Sequence, residues 1–288
     1  MGWKFLPVAK RLGIPLVVSF YGYDYDFLPN TKPIWRRRYR RLFRSSCIFL
    51  AEGEYGKKRL EEKGIPAQNI RVHHLGVDVN SIPFKARKRL KGEPLRVIQV
   101  AAFVEKKGHR TLIEAMRLLK ENGDIEKIRV TLVGDGRLRE EILGCADEYS
   151  VKEYIKLIDY IPYEDLHSLL LDHHLFVHPS VKTKNGDCEG GAPVVLLDAQ
   201  ATGMPVVSTF HCDIPEEVLH NKTGILVAEG DTEALAHTLL QFYTDSNLLS
   251  LYGIEARKHV QKNYSARIQT ERLTCFYEEI IDTRRQTI

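Results

Sequence analysis

The chain has 288 residues, of which 43% are hydrophobic and 28% charged, a composition typical of one large or two ordinary globular domains. Its most apolar stretch, residues 14–23, is shorter than the ~20 residues of a membrane-spanning helix, and the amino terminus lacks the apolar core of a secretory signal. The five cysteines are scattered and form no CxxC pair, which predicts reduced thiols and argues against a disulfide framework or a zinc cluster. These features favour a cytoplasmic protein.

Charge is unevenly divided along the chain. Residues 1–92 hold 20 Lys and Arg against 7 Asp and Glu, a net charge of +13. The remaining residues hold 22 against 31, a net charge of −9. This asymmetry predicts that the first part faces an anionic partner.

The first 92 residues predict an incomplete α/β domain. Helical patterns cover residues 8–12, 34–43 and 56–63, and short apolar strands are predicted at residues 15–21, 46–51 and 70–73. The first of these strands has no obvious partner strand. The pattern therefore predicts that the sequence begins in the middle of an α/β domain.

A basic, polar segment at residues 85–94 ends in Gly-Glu-Pro and predicts a linker. Beyond it, apolar strands alternate with helical patterns, of which the clearest are at residues 109–122 and 137–149. The strands are predicted at residues 95–103, 128–133, 154–158, 175–178, 205–209 and 224–227. Short, nearly continuous apolar strands separated by amphipathic helices are typical of a parallel, doubly wound sheet.

The arginine-rich segment at residues 35–44 has six arginines between Arg36 and Arg44. At helical spacing Arg36, Arg40 and Arg44 share one face, with Arg37 beside it. Such a face suits anionic lipid headgroups or a lipid-diphosphate acceptor; the alternative is an ordinary solvated helix face. Nucleic acid is a poorer candidate because aromatic residues are not interleaved on the basic face.

Residues 187–208 carry the most informative pattern. A Gly190-Gly191 turn precedes a predicted helix whose first turn holds Pro193, and the start of such a helix suits an anion such as a diphosphate. Glu189 lies just before the turn. Asp198, more than one turn into the predicted helix, can accept hydrogen bonds from the vicinal hydroxyls of a ribose. The alternative is a generic strand–helix crossover with a solvated Asp198.

Lys107 follows the first strand of the second sheet, at the carboxyl edge where open α/β sheets bind ligands. A lysine there can neutralise phosphate charge, although a solvated turn is the simpler interpretation of this residue alone. Gly134-Asp-Gly136 lacks a third glycine, and no strict G-x-G-x-x-G occurs in the chain. This argues against a nicotinamide- or flavin-dependent dehydrogenase. Adjacent histidines at 73–74 and 173–174 point to opposite faces of a strand, so no metal site is expected from them.

Together, residues 75–78, 104–108, 134–138 and 189–207 resemble the family 4 glycosyltransferases of the GT-B fold, particularly bacterial members that build exopolysaccharide and lipopolysaccharide. The resemblance implies two Rossmann-like doubly wound domains. Residues 1–92 would be an incomplete acceptor-side domain, residues 93–265 the nucleotide-sugar domain, and residues 266–288 a helix crossing back to the first domain.

The resemblance also implies an activity: retaining transfer of a sugar from a UDP- or GDP-sugar to a hydroxyl of a polysaccharide or lipid-linked glycan. It implies no metal and no cofactor beyond this donor. The enzyme would be cytoplasmic and peripheral on the inner face of a membrane.

The implied site residues follow by position. Glu189 would contact the donor sugar as the catalytic acidic residue, Lys107 the donor phosphates and Asp198 the ribose. Further donor contacts are expected from Gly190, Gly191, Tyr160 and Ile161, and acceptor or membrane contacts from Tyr21, Arg36, Arg37 and Arg40. The sequence departs from the family in four places. Eight residues separate Glu189 from Asp198, one more than usual, and the second acid is an aspartate, shorter by one methylene. Ala102 stands where an arginine is often found, and Tyr21 replaces a common histidine.

Two other functions fit the same residues. One is a nucleotide-sugar-binding protein without transfer activity, since the acceptor-side domain is incomplete. The other is a sugar epimerase of the GT-B type. A transferase needs an acceptor to release nucleotide, whereas an epimerase releases it from UDP-N-acetylhexosamine alone.

Overall fold

The computed structural model describes residues 2–45 and 47–285. It contains a three-stranded sheet of order β1-β2-β3 and a six-stranded sheet of order β6-β5-β4-β7-β8-β9, and every strand pair is parallel. The strands are β1 (Val17–Phe20), β2 (Ile48–Ala51), β3 (Ile70–Val72), β4 (Leu95–Val100), β5 (Ile128–Val133), β6 (Ile155–Ile158), β7 (Leu175–His178), β8 (Val206–Thr209) and β9 (Gly224–Val227). Ser46, where the second strand was expected to begin, and residues 286–288 of the expected last segment lie outside the described residues.

Helices connect most of the strands. They are α1 (Gly2–Leu12), α2 (Tyr23–Asp26), α3 (Leu28–Thr31), α4 (Pro33–Phe43), α5 (Glu54–Glu62), α6 (His109–Glu121), α7 (Arg139–Glu148), α8 (Tyr163–Leu171), α9 (Val195–Ala201), α10 (Ile214–Glu217), α11 (Thr232–Thr244), α12 (Asn247–Asn263) and α13 (Ala266–Arg285). Short 3-10 turns lie at Ala67–Asn69, Glu105–Lys107, Ile125–Lys127 and Lys152–Tyr154. We call residues 2–72 without Ser46 the first unit and residues 95–263 the second unit.

The core of the first unit is aromatic. Phe20 of β1 lies with its ring 5.7 Å from Tyr39 and 5.8 Å from Phe43, both on the buried face of α4. Leu42 is also buried, whereas Arg36, Arg37, Arg40, Arg41 and Arg44 are exposed. The amphipathic pattern of this helix, with arginines outward and aromatics inward, is thereby confirmed.

The second sheet is covered on both faces. Leu95 and Val97 of β4 pack into one apolar cluster with α6, and Ile98 packs into a second cluster with α9 on the opposite face. Because side chains alternate across a strand, both sets of positions must be apolar, and the strands are therefore nearly continuous apolar runs. The predicted doubly wound parallel sheet is confirmed.

Several details of the predicted elements were wrong. β4 ends at Val100 and not at residue 103, since the Phe103 amide donates to Asp135 in a loop. α9 begins at Val195, so Pro193 precedes the helix, and Asp198 lies within its first turn and not beyond it. The short helices α2 and α3 were not predicted at all.

The segment predicted as a linker is anchored. Arg87 is 1% exposed, and its guanidinium donates to the carbonyls of Thr202 at 3.0 Å and Leu170 at 3.1 Å and to the Thr202 hydroxyl at 2.8 Å. A basic residue of this segment therefore binds backbone carbonyls of the second unit, so basic composition alone does not identify a flexible linker.

Polar contacts join the two units. A Glu52 carboxylate oxygen accepts from the Ala192 amide at 3.3 Å, and Asp213 accepts from the Tyr55 amide at 2.7 Å.

Burial raises the pKa of Glu52 to about 7 and the pKa of Asp213 to about 8. Negative charge nearby raises each pKa further, from Glu189 in the case of Glu52 and from Glu216 in the case of Asp213. Both carboxyls therefore bind a proton more strongly in the folded than in the unfolded chain.

We predict that this pair makes stability fall as pH rises. A raised folded-state pKa contributes stability that is present below pH 4 and lost as pH rises through 7 to 8, at up to about 1.4 kcal/mol per pH unit for each proton released. In Glu52→Gln, which cannot ionise, the loss of unfolding free energy between pH 5 and pH 8 should be smaller than in the parent chain. Urea denaturation at both pH values measures this.

The matched control is Glu164→Gln, because Glu164 is exposed on α8 of the second unit. Its pH dependence should equal that of the parent. An unchanged dependence in Glu52→Gln would contradict the assignment.

Candidate active site

The strand order of the second sheet reverses between β4 and β7. From β4 the chain goes outward through β5 and β6, then returns to place β7, β8 and β9 on the other side of β4. The carboxyl ends of β4 and β7 therefore flank a topological switch point, the position at which open α/β sheets bind ligands.

The loops that follow these two strands approach closely. Gly108 has φ +67°, and a Cβ on it would lie 1.8 Å from the Pro179 carbonyl oxygen, so only glycine fits. The Val181 amide donates to the Lys106 carbonyl at 2.9 Å, which fixes the two loops together.

Lys107 and Glu189 meet at this point. Lys107 Nζ lies 2.8 Å from Glu189 Oε2, and the side chains are 18% and 6% exposed. Lys106 donates to the Cys188 carbonyl at 2.9 Å, so two neighbouring lysines of the β4 loop hold the β7 loop. The structure thus brings together Lys107 and Glu189, and their expected contacts with donor phosphate and sugar stay predictions.

Glu189 stays ionised although it is buried. The Ser180 hydroxyl donates to Oε1 at 2.8 Å, and His178 Nε2 lies 3.5 Å from the same oxygen. Burial acts to raise the pKa of Glu189, but His178 and the Lys107 ammonium outweigh it and hold the pKa below its usual range. Ser180 and His178 were not predicted as site residues, although their place at the end of β7 could have indicated them.

Gly190 and Gly191 allow the first unit to approach. A Cβ on Gly190, which has φ +81°, would lie 2.1 Å from the Gly22 Cα, and one on Gly191 would lie 2.2 Å from Glu52 Oε2. The Gly190 amide donates to Cys212 Sγ at 3.4 Å. A packing role for both glycines is therefore visible, and their expected contact with a diphosphate stays a prediction.

Asp198 is 2% exposed and is not solvated. Its Oδ1 lies 2.9 Å from the Tyr163 hydroxyl, which donates to it, and 2.9 Å from His167 Nε2. Both partners come from α8, and neither was predicted as a site residue. Because side chains from another helix orient this buried carboxylate, the expectation of a solvated Asp198 is wrong, and its contact with a ribose stays a prediction.

The remaining expected site residues lie at the surface. Tyr160 is 81% exposed after β6, while Ile161 packs partly against the second apolar cluster. Tyr21 is 52% exposed in the loop after β1. Arg37 and Arg40 are exposed on α4. Arg36, also exposed on this helix, donates to the Pro29 carbonyl at 2.7 Å.

Comparison with known families matches almost the whole chain. Residues 81–259 match the model for glycosyl transferases group 1, and residues 1–81 match the model for glycosyltransferase family 4. None of the helices in residues 2–45 and 47–285 is long and apolar enough to cross a membrane.

Curated relatives and solved structures give the same family and fold. The chain is 34% identical over 281 residues to a putative colanic acid biosynthesis glycosyltransferase of Escherichia coli, covering 94% of this chain and 66% of the relative. It is 32% identical over 245 residues to the amylovoran biosynthesis glycosyltransferase of Erwinia amylovora, covering 85% of this chain and 59% of the relative. The Anabaena HepE structure in complex with UDP and glucose superposes with a TM-score of 0.77 at 16% identity, over 96% of this chain and 76% of that one.

The chain thus spans 59% and 66% of these two curated relatives. The group 1 match covers more than half of it, and the family 4 match precedes that match directly. The parallel sheets and the structural likeness agree with the GT-B fold. The chain belongs to the group 1 glycosyltransferases, is of the family 4 type and has the GT-B fold.

Proposed function

We propose that this protein transfers a sugar, with retention, from a UDP- or GDP-sugar to a hydroxyl of a polysaccharide or lipid-linked glycan. The names of the exopolysaccharide relatives support the polysaccharide acceptor, and the UDP complex of the Anabaena structure supports a nucleotide-sugar donor. No metal or further cofactor is part of the proposal.

The Lys107–Glu189 pair at the switch point carries the proposal. When a nucleotide diphosphate leaves a sugar, negative charge develops on phosphate, and a preorganised cation stabilises it most effectively in a site shielded from water. Lys107 supplies that cation. Its side chain is only 18% exposed and is already held at the carboxyl edge of β4.

Glu189 has a different role from Lys107. Because its pKa lies below the usual range, the carboxylate is ionised at neutral pH and can accept hydrogen bonds from sugar hydroxyls. It also balances the lysine charge while no phosphate is bound. In the proposed complex Lys107 turns to the diphosphate, and Ser180 and His178 keep Glu189 in place.

Asp198 is proposed to hold the ribose. Tyr163 and His167 both contact Oδ1, so Oδ2 is the oxygen that faces a ribose hydroxyl in this proposal. The amides of Gly190 and Gly191 would contact the diphosphate and sugar, and Tyr160 and Ile161 would flank the base.

We predict that Lys107→Ala weakens binding of the preferred nucleoside diphosphate at least about tenfold, since a hydrogen bond to a charged group contributes about 1.5–3 kcal/mol. Calorimetric titration with UDP, GDP and ADP, each alone, measures this and identifies the base. Lys262→Ala, an exposed lysine on α12, is the matched control and should bind as the parent does. Equal affinity in Lys107→Ala would remove the phosphate assignment.

We predict that Glu189→Gln lowers kcat/KM for acceptor-dependent transfer by about 100-fold or more, since an electrostatic contact to the reacting sugar is lost. Glu148→Gln, exposed on α7, should retain full activity. The anomeric configuration of the product, followed by NMR, tests retention.

The same assay separates the alternatives. Nucleotide binding without release on addition of any acceptor would indicate a binding protein. Release from UDP-N-acetylhexosamine alone would indicate an epimerase.

The arginine face of α4 is proposed to bind an anionic membrane or lipid-diphosphate surface. Its inner side is fixed by Tyr39 and Leu42, and Arg38 stacks 4.4 Å from the Trp3 ring and 4.9 Å from the Trp35 ring. The outer arginines are therefore held on a rigid helix, which suits a flat array of negative headgroups.

We predict that replacing Arg36, Arg37 and Arg40 together by Ser lowers binding to vesicles that contain phosphatidylglycerol, as measured by sedimentation. About 1 kcal/mol is lost for each basic residue at such a surface, so the partition coefficient should fall by more than 100-fold. Replacing Lys222, Lys258 and Lys262, exposed lysines of the second unit, by Ser removes the same charge. If both triple variants lose the same amount of vesicle binding relative to the parent, the loss is caused by the change in net charge and not by the arginines of α4.

A further inference from the structure

Three soft side chains converge beside the Glu189 loop. Cys188 Sγ, Cys212 Sγ and His211 Nε2 all lie within 4.8 Å of one another, and His211 Nε2 is 3.2 Å from Cys212 Sγ. The two cysteines have free thiols, and His211 is 3% exposed. Helix α9 and strand β8 lie between Cys188 and the adjacent residues His211 and Cys212 in the chain. The spacing of these residues in the sequence therefore does not indicate a cluster.

From this geometry we propose that Cys188, Cys212 and His211 form a binding site for a thiophilic divalent cation, Zn²⁺ in particular. Zn²⁺ is bound by thiolate at about 2.3 Å and by imidazole nitrogen at about 2.0 Å, which in a tetrahedron places sulfur and nitrogen about 3.5 Å apart. The separation of 3.2 Å between Cys212 and His211 is within a few tenths of an ångström of that value. Two sulfurs and one nitrogen leave a fourth position for water.

The tautomer of His211 suits a metal ligand. The Glu189 amide donates to Nε2 at 3.1 Å, so Nε2 presents a lone pair, and Nδ1 lies 2.7 Å from Glu229 Oε1, to which it donates. A carboxylate that binds the far nitrogen of a histidine is the usual second partner of a zinc-binding imidazole. Metal binding would replace the Glu189 amide at Nε2.

Backbone geometry places the Cys212 sulfur beside Gly190. Cys212 has φ +46°, uncommon for a residue with a side chain, and its sulfur accepts the Gly190 amide at 3.4 Å. Zn²⁺ would replace the thiol protons, which leave to solvent.

Nearby Asp26 is not included among the ligands. Its Oδ2 is 3.9 Å from Cys188 Sγ, but its carboxylate is bound by Arg59 at 2.8 Å and approached by Lys63 at 3.5 Å. It lies in the first unit, whereas the three ligands belong to the second. The site therefore forms within one unit, directly at the loop that carries Glu189 and Gly190.

A cation bound at this site would fix the position of the loop that carries Glu189. Cys188 precedes Glu189 in the chain, and Cys212 Sγ binds the Gly190 amide, so a bound cation would clamp residues 188–190 to residues 211–212. This inference does not depend on the proposed transferase activity, since metal binding is measured directly.

The test uses the full chain, reduced and stripped with a chelator, and titrated with Co²⁺ without oxygen. We expect one Co²⁺ per chain, with the sulfur-to-cobalt charge-transfer absorption of two thiolates, and displacement by Zn²⁺. Cys188→Ser and Cys212→Ser should each halve that absorption and weaken binding at least tenfold. Cys275→Ser, an exposed cysteine on α13, is the matched control and should match the parent.

A second measurement covers variants that fail to fold. In the parent chain Zn²⁺ should protect Cys188 and Cys212, and not Cys275, from alkylation, as located by mass spectrometry. The proposal is overturned if the parent shows no thiolate absorption, if absorption persists undiminished in both serine variants, or if Zn²⁺ leaves the alkylation of Cys188 and Cys212 unchanged.

Discussion

The candidate site depends on one buried ion pair, Lys107 with Glu189. Its two members come from loops after strands that are adjacent in the sheet but distant in the chain, so the pair exists only when β4 and β7 lie side by side. Removing water from two charges costs free energy that their attraction offsets only with good geometry and further hydrogen bonds. Ser180 and His178 supply those further contacts to Glu189.

This dependence explains why the loops are built so tightly. Gly108 admits the Pro179 carbonyl where any side chain would collide, and Lys106 binds the Cys188 carbonyl. If the loops separated, Lys107 would lose Glu189, and Glu189 would keep only Ser180 and His178. A diphosphate is the kind of ligand that can replace Glu189 as the partner of Lys107, because it brings its own negative charge into the same position.

Much of the second unit could be predicted from the sequence because its strands are buried on both faces. Continuous apolar runs located all six strands of its sheet, and Lys107 and Glu189 were identified through motifs at strand ends. Boundaries failed where a backbone group has a tertiary partner: the Phe103 amide leaves β4 to bind Asp135. Helix propensity alone also misplaced the start of α9 and therefore the position of Asp198.

Side-chain clusters whose members come from separate helices, strands or loops could not be predicted from the sequence. Tyr163 and His167 face Asp198 because α8 packs beside α9, and no local pattern encodes that contact. Arg87 was assigned to a linker on composition, yet it serves four carbonyl and hydroxyl oxygens. The group of Cys188, His211 and Cys212 is of the same kind, since α9 and β8 lie between its members in the chain.

The contact between the two units differs in character from their cores. It includes a glycine–glycine approach, a Tyr25 hydroxyl that donates to the Gly190 carbonyl at 2.5 Å, and carboxylates that accept backbone amides. Polar groups of this kind regain hydrogen bonds with water when they separate, whereas apolar core residues do not. The units can therefore part at lower cost than either could unfold. Because Gly190 and Glu189 belong to the same loop, the interface between the units lies directly beside the Lys107–Glu189 pair.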